Sequence, residues 1–141
     1  MALGNAALII VDVQNDFCPN GSLAVPHGDQ VVQPLNRAMA LFSAARLPVF
    51  ASRDWHPKET SHFRAFGGIW PQHCVQETWG AAFHPDLKLP PETIIISKGM
   101  GPSRDDYSAL HGVTDSGTPL PEILKGHGVE RLYVGGLATD Y

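Results

Sequence analysis

The chain has 141 residues, 43% of them apolar, and a formal net charge of −4. That size and apolar content predict one domain over 1–141 with a real core and no disordered class. The acidic balance, without any basic run, argues against nucleic acid or an anionic membrane as partner, and no apolar stretch approaches the ~20 residues of a membrane span. No Lys or Arg precedes Arg37, so the N-terminus lacks the charged start of a signal peptide. Two cysteines make no disulfide framework, so a reducing, cytoplasmic home is the default.

In chain order, the apolar run Ala7-Leu8-Ile9-Ile10-Val11 predicts a buried, parallel strand over 7–13. Val31, Val32, Leu35, Ala38, Met39 and Phe42 then recur near the 3.6-residue period and predict a helix over about 28–46. Gly28 and Asp29 mark its start, and Pro34 falls in its first turns, where proline costs least. A strand over 47–53 follows. After a long loop, Thr93-Ile94-Ile95-Ile96-Ser97-Lys98 predicts a strand over 93–98. A second helix over about 118–127 leads to a strand over 130–135, which runs into Gly135-Gly136. Many of the twelve Pro and fourteen Gly fall between Asp54 and Pro91 and between Gly99 and Pro121, which predicts two long, ordered, functional loops. Repeated strand–helix–strand units predict a parallel sheet with helices on both faces.

Several polar residues stand where such a sheet places its sites. Asp12 closes the first strand and Lys98 the third, at carboxyl ends. Taken singly, Asp12 reads equally as a loop cap and Lys98 as a solvated strand end. Asp54 and His56 are two apart, so on an extended segment they leave one face, to which His62 and His73 can return by loops. One carboxylate and three imidazoles suit Zn, Fe or Mn. The spacing alone also allows four polar residues on a surface loop. Phe17 and Trp70 read as core aromatics, and Cys18 and Cys74 as half-buried structural thiols.

The segments Ile9 to Phe17 (with Asp12-Val13-Gln14-Asn15-Asp16-Phe17), Asp54-Trp55-His56 with His62, Trp70 to Cys74, Lys98-Gly99 and Gly136-Leu137-Ala138-Thr139-Asp140 together resemble the nicotinamidase/pyrazinamidase family. That family lies within the isochorismatase-like cysteine hydrolase superfamily. The resemblance runs in order along nearly the whole chain.

The resemblance implies a Rossmann-like, three-layer αβα fold with a six-stranded parallel sheet, of which four strands are visible here. The C-terminal units are then expected to be missing from this sequence. It implies hydrolysis of nicotinamide, and also of pyrazinamide, to the acid and ammonia through a cysteine thioester. Asp12 matches the general base and Lys98 the third member of the triad. The nucleophilic cysteine is expected directly after Tyr141, hidden there by truncation or by a covalent modification. Ala138 matches an oxyanion-hole position, and a cis bond is expected at Leu137–Ala138. Phe17 and Trp70 match residues that line the ring pocket. Asp54, His56, His62 and His73 match ligands of one divalent ion, Zn, Fe or Mn, which takes the pyridine nitrogen and positions the substrate. The partner is a small molecule, with no nucleic acid or membrane, and a homo-oligomer is allowed. Two alternatives stay open. One is a metal-independent superfamily hydrolase of isochorismate, an N-carbamoyl or a ureido compound. The other is a non-catalytic metal-binding domain truncated before the nucleophile.

Overall fold

The computed structural model describes residues 3–141. Its regular elements are β1 (Ala6–Val11), α1 (Val32–Ala44), β2 (Val49–Asp54), β3 (Ile94–Lys98), α2 (Leu120–Gly126) and β4 (Arg131–Gly136). The four strands form one sheet in the order β3-β2-β1-β4, and every pair is parallel.

Side-chain alternation along β1 divides the core in two. Leu8 and Ile10 face α1 and pack with Val32, Leu35, Met39 and Phe42. Ala7 and Ile9 face the other way and pack with Phe50, Ile96 and Leu120, the last of these from α2. Full burial of a large apolar side chain contributes about 1.5–3 kcal/mol, so these two clusters hold a helix layer on each face. The predicted helix over 28–46 resolves into a 3-10 turn at Gly28–Val31 and α1 proper, with Pro34 as its third residue. Just past its end, Arg46 lies in the left-handed region at φ 58°. There the Leu47 N–H reaches back to the Phe42 carbonyl and the Arg46 N–H to that of Ser43, satisfying carbonyls the helix leaves open.

The chain steps outward from β1 to β2 to β3, then returns by α2 to place β4 on the other side of β1. This reversal creates a crevice at the carboxyl ends of β1 and β4, the usual ligand position in open α/β sheets. Asp12 follows β1, Asp54 closes β2, Lys98 closes β3 and Ala138 follows β4. Gly136 is needed at that crossing, because a Cβ there would lie 2.2 Å from the Val11 carbonyl oxygen. The two long loops are ordered by isolated bridges, His56 with Val75, Phe63 with Trp70 and Ser97 with Val113 among them. Leu132, Tyr133 and Val134 of β4 are exposed. Among the described residues no helix is long and apolar enough to cross a membrane.

Candidate active site

Asp54 and Lys98 are partners in the last rung of the β2–β3 pairing, which sets their side chains on one face. Asp12 comes in from β1, held at φ 53°. The Lys98 ammonium, 2% exposed, donates to Asp12 Oδ2 at 2.7 Å and to Asp54 Oδ1 at 2.5 Å. Ser52, also from β2, donates its hydroxyl to Asp12 Oδ1 at 2.8 Å. Burial pushes the Asp12 carboxyl above its ordinary range, against the opposing charge of Lys98. Burial alone would lower the Lys98 pKa, but the Asp12 and Asp54 carboxylates outweigh it and hold the ammonium above the usual lysine value.

The second oxygen of Asp54 faces histidines. Its Oδ2 lies 3.5 Å from His56 Nε2 and 3.7 Å from His73 Nε2. His56, His62 and His73 are all buried, and one ring nitrogen from each falls within 4.8 Å of the other two. Their Nδ1 atoms are all engaged by acceptors. His56 Nδ1 donates to the Gly99 carbonyl at 2.8 Å, His73 Nδ1 to the Pro71 carbonyl at 2.7 Å, and His62 Nδ1 to the Asp105 carboxylate. That assignment puts the proton on Nδ1 and leaves Nε2 as a lone-pair donor on each ring.

His56 Nε2 is buried without any hydrogen-bond partner. A buried, unpartnered acceptor costs about 1–3 kcal/mol unless something occupies it. Two buried carboxylates also share a single ammonium. A cation among these nitrogens and Asp54 Oδ2 would satisfy both deficits, so the donor set fits a divalent metal of the Zn, Fe or Mn kind.

Asp12, Lys98, Asp54, His62 and His73 open onto one cavity of about 360 Å³. Phe17, Trp70, Tyr107 and Tyr141 give it an aromatic wall, and Ala138 also lines it. Trp70 stacks on His62 with ring centroids 6.2 Å apart and donates its indole N–H to the Tyr107 hydroxyl at 3.1 Å. Phe17 lies 5.7 Å from the His73 ring. Cys18 and Cys74 are fully buried rather than half-buried, and neither lines the cavity. Burial raises both thiols above their ordinary pKa, which disfavours the reactive thiolate. The bond at Leu137–Ala138 differs from the expected form. Among the described residues no peptide is cis, and Ala138 instead adopts φ 50°.

A family model described as "Isochorismatase domain" matches residues 6–141. The chain belongs to the isochorismatase family. It is 39% identical to the nicotinamidase of Escherichia coli (strain K12), over 96% of this chain and 71% of that protein. It is 41% identical to the nicotinamidase/pyrazinamidase of Mycobacterium tuberculosis (strain ATCC 25618 / H37Rv), over 96% of this chain and 73% of that protein. Among solved structures, the pyrazinamidase of Pyrococcus horikoshii in complex with zinc superimposes with a TM-score of 0.89 at 44% identity, over 98% of this chain and 73% of that one.

Three further residues of this isochorismatase-family site had no role assigned from the sequence. Gln14, wholly buried, donates to the Asp54 and Ala81 carbonyls at 2.8 and 2.9 Å and accepts the Asp54 N–H at 2.9 Å. Its amide takes the place of a strand partner just beyond the end of β1. Asp16 accepts the Cys74 N–H at 2.7 Å and the Ser22 N–H at 3.2 Å, tying the His73 segment to the first loop. Asp105 holds His62. The Asp12-to-Phe17 motif that carries the resemblance includes Gln14 and Asp16 and was the hint for both. An acidic pair before Tyr107 in a Gly/Pro-rich loop was the hint for Asp105.

Proposed function

We propose that this protein is a metal-dependent amidohydrolase that converts nicotinamide to nicotinic acid and ammonia. The observation that carries this reading is Asp54, which holds Lys98 with one oxygen and turns the other toward His56 and His73, two of the three clustered imidazoles. One carboxylate thereby joins an acid–base pair to a metal-type donor set at one cavity. The named activities of the relatives supply the substrate. A metal-independent reading leaves the buried His56 Nε2 without a partner.

In this reading the nucleophile is the cysteine expected directly after Tyr141, and Ala138 and Tyr141 already line the cavity. Asp12 takes the thiol proton as sulfur attacks the amide carbon. It passes that proton to the departing nitrogen as the C–N bond breaks and ammonia leaves. Asp12 then removes a proton from water, which attacks the thioester carbon. The C–S bond breaks, and the proton returns to sulfur. Lys98 keeps Asp12 charged and ready between these transfers. The Ala138 N–H contributes to the oxyanion site. Phe17 and Trp70 hold the pyridine ring. A divalent ion held by Asp54, His56, His62 and His73 would supply a template for the ring nitrogen. The product belongs to NAD salvage, and the reading places the protein in the cytoplasm.

The test is ammonia release from nicotinamide by the full polypeptide that carries this chain, beside its Asp12→Ala variant. Loss of a general base lowers turnover by about 100- to 10,000-fold, and Asp12→Ala is expected to form no thioester. Near-normal turnover by that variant would remove Asp12 from its role. Hydrolysis of N-carbamoyl or ureido compounds in preference to nicotinamide would overturn the substrate assignment.

A further inference from the structure

The three histidines are not held alike. His56 and His73 donate Nδ1–H to backbone carbonyls, those of Gly99 and Pro71. Only His62 donates to a charged side chain, Asp105, from the loop that follows β3. The same loop grips the His62 segment a second time, because the Ser61 N–H donates to the Pro102 carbonyl at 2.8 Å. Two residues past Asp105, Tyr107 stands 5.8 Å from the His62 ring and receives the Trp70 indole N–H. Asp105 thus stands where the cavity wall meets the metal-type cluster.

We infer that Asp105 is a positioning residue that makes His62 a competent metal ligand. This rests on the metal site of the proposed function and adds to it a residue outside the donor set. A carboxylate behind Nδ1 fixes the tautomer and ring angle and makes Nε2 a stronger donor than a carbonyl does. Such outer partners typically change metal affinity by about 10- to 100-fold. The Asp105 side chain is 47% exposed, so its removal leaves the core intact. A simple surface ion pair would show no such effect, since exposed pairs contribute little.

The experiment measures zinc affinity by chelator competition and the visible spectrum of the cobalt-substituted protein. It compares wild type, Asp105→Ala, Asp105→Asn and a control, Arg104→Ala, whose side chain is 68% exposed and pairs with Asp106 instead. Asp105→Ala is expected to bind zinc about 10- to 100-fold more weakly and to shift the cobalt bands. Asp105→Asn, which keeps an acceptor oxygen without the charge, is expected to fall between, and Arg104→Ala to match wild type. Wild-type affinity and spectrum in Asp105→Ala would overturn the inference alone. Wild-type protein that binds neither zinc nor cobalt would overturn the metal reading and this inference with it. Equal losses in Asp105→Ala and Arg104→Ala would also overturn it, by showing a general effect of the loop.

Discussion

Lys98→Met removes the one cation between two buried carboxylates while keeping most of the side-chain volume. Lys98 is 2% exposed and donates to both Asp12 and Asp54, so the variant leaves both acids without their ammonium. Removing one partner of a buried ion pair costs about 3–5 kcal/mol, because the charge left behind is uncompensated. At about 2–5 °C per kcal/mol for a chain of this length, melting falls by about 6–25 °C.

The pH dependence follows from Asp12. Burial already raises its pKa, and loss of Lys98 removes the positive charge that does most to lower it. A carboxyl whose folded pKa lies above its unfolded value contributes stability below the unfolded pKa and loses it as pH rises through the folded pKa. The deficit of Lys98→Met is therefore largest above the folded pKa of Asp12 and narrows as pH falls toward the unfolded carboxylate value. Adding Asp12→Asn removes one of the stranded charges, so the double variant is expected to be more stable than Lys98→Met alone at neutral pH. Thermal melting and urea unfolding of the metal-free protein at neutral and at acidic pH measure all of this. Lys98→Met within 1 kcal/mol of wild type, or a double variant less stable than it, would refute the argument.

Other consequences can be measured separately. Gly99 sits at φ 71°, and a Cβ there would lie 2.5 Å from His56 Cε1, so Gly99→Ala should displace the ring and weaken zinc binding about 10- to 100-fold by chelator competition. Gln14→Leu should destabilise the protein by about 2–4 kcal/mol in urea unfolding, since it strands the buried Asp54 N–H and carbonyl. Iodoacetamide should label neither Cys18 nor Cys74 in the native protein and both in urea, read by mass spectrometry, because both are buried and their thiols are held protonated.

The scaffold is readable in the sequence because local patterns encode it. The Ile/Val runs before Asp12 and Lys98 and the helical period around Leu35 and Met39 each mark an element found within a few residues of its expected bounds. The Gly28–Val31 turn was not legible, since Gly28 and Asp29 read as the start of the helix while the hydrogen bonding there is of the 3-10 kind. Residue types and spacing alone left Asp54, His56, His62 and His73 open between a metal set and a surface loop. The structure brings them together in burial, using contacts that no local pattern carries. Gln14 reaches Asp54 across 40 residues, and Asp105 reaches His62 across 43. A side chain bonded to a distant backbone leaves no periodicity behind it. The sequence pointed to the ends of the strands and could not show what braces them.

The most direct test of the account joins metal content to turnover in one sample. The full polypeptide carrying this chain is stripped with chelator, assayed on nicotinamide, then reloaded with zinc, iron or manganese, and the bound metal counted by mass spectrometry. A metal-dependent hydrolase of this design holds one ion per chain, loses activity on stripping and regains it on reloading, and its His56→Ala variant shows neither binding nor recovery. Full nicotinamide turnover by the stripped protein, or stoichiometric metal binding that survives His56→Ala, would contradict the metal reading.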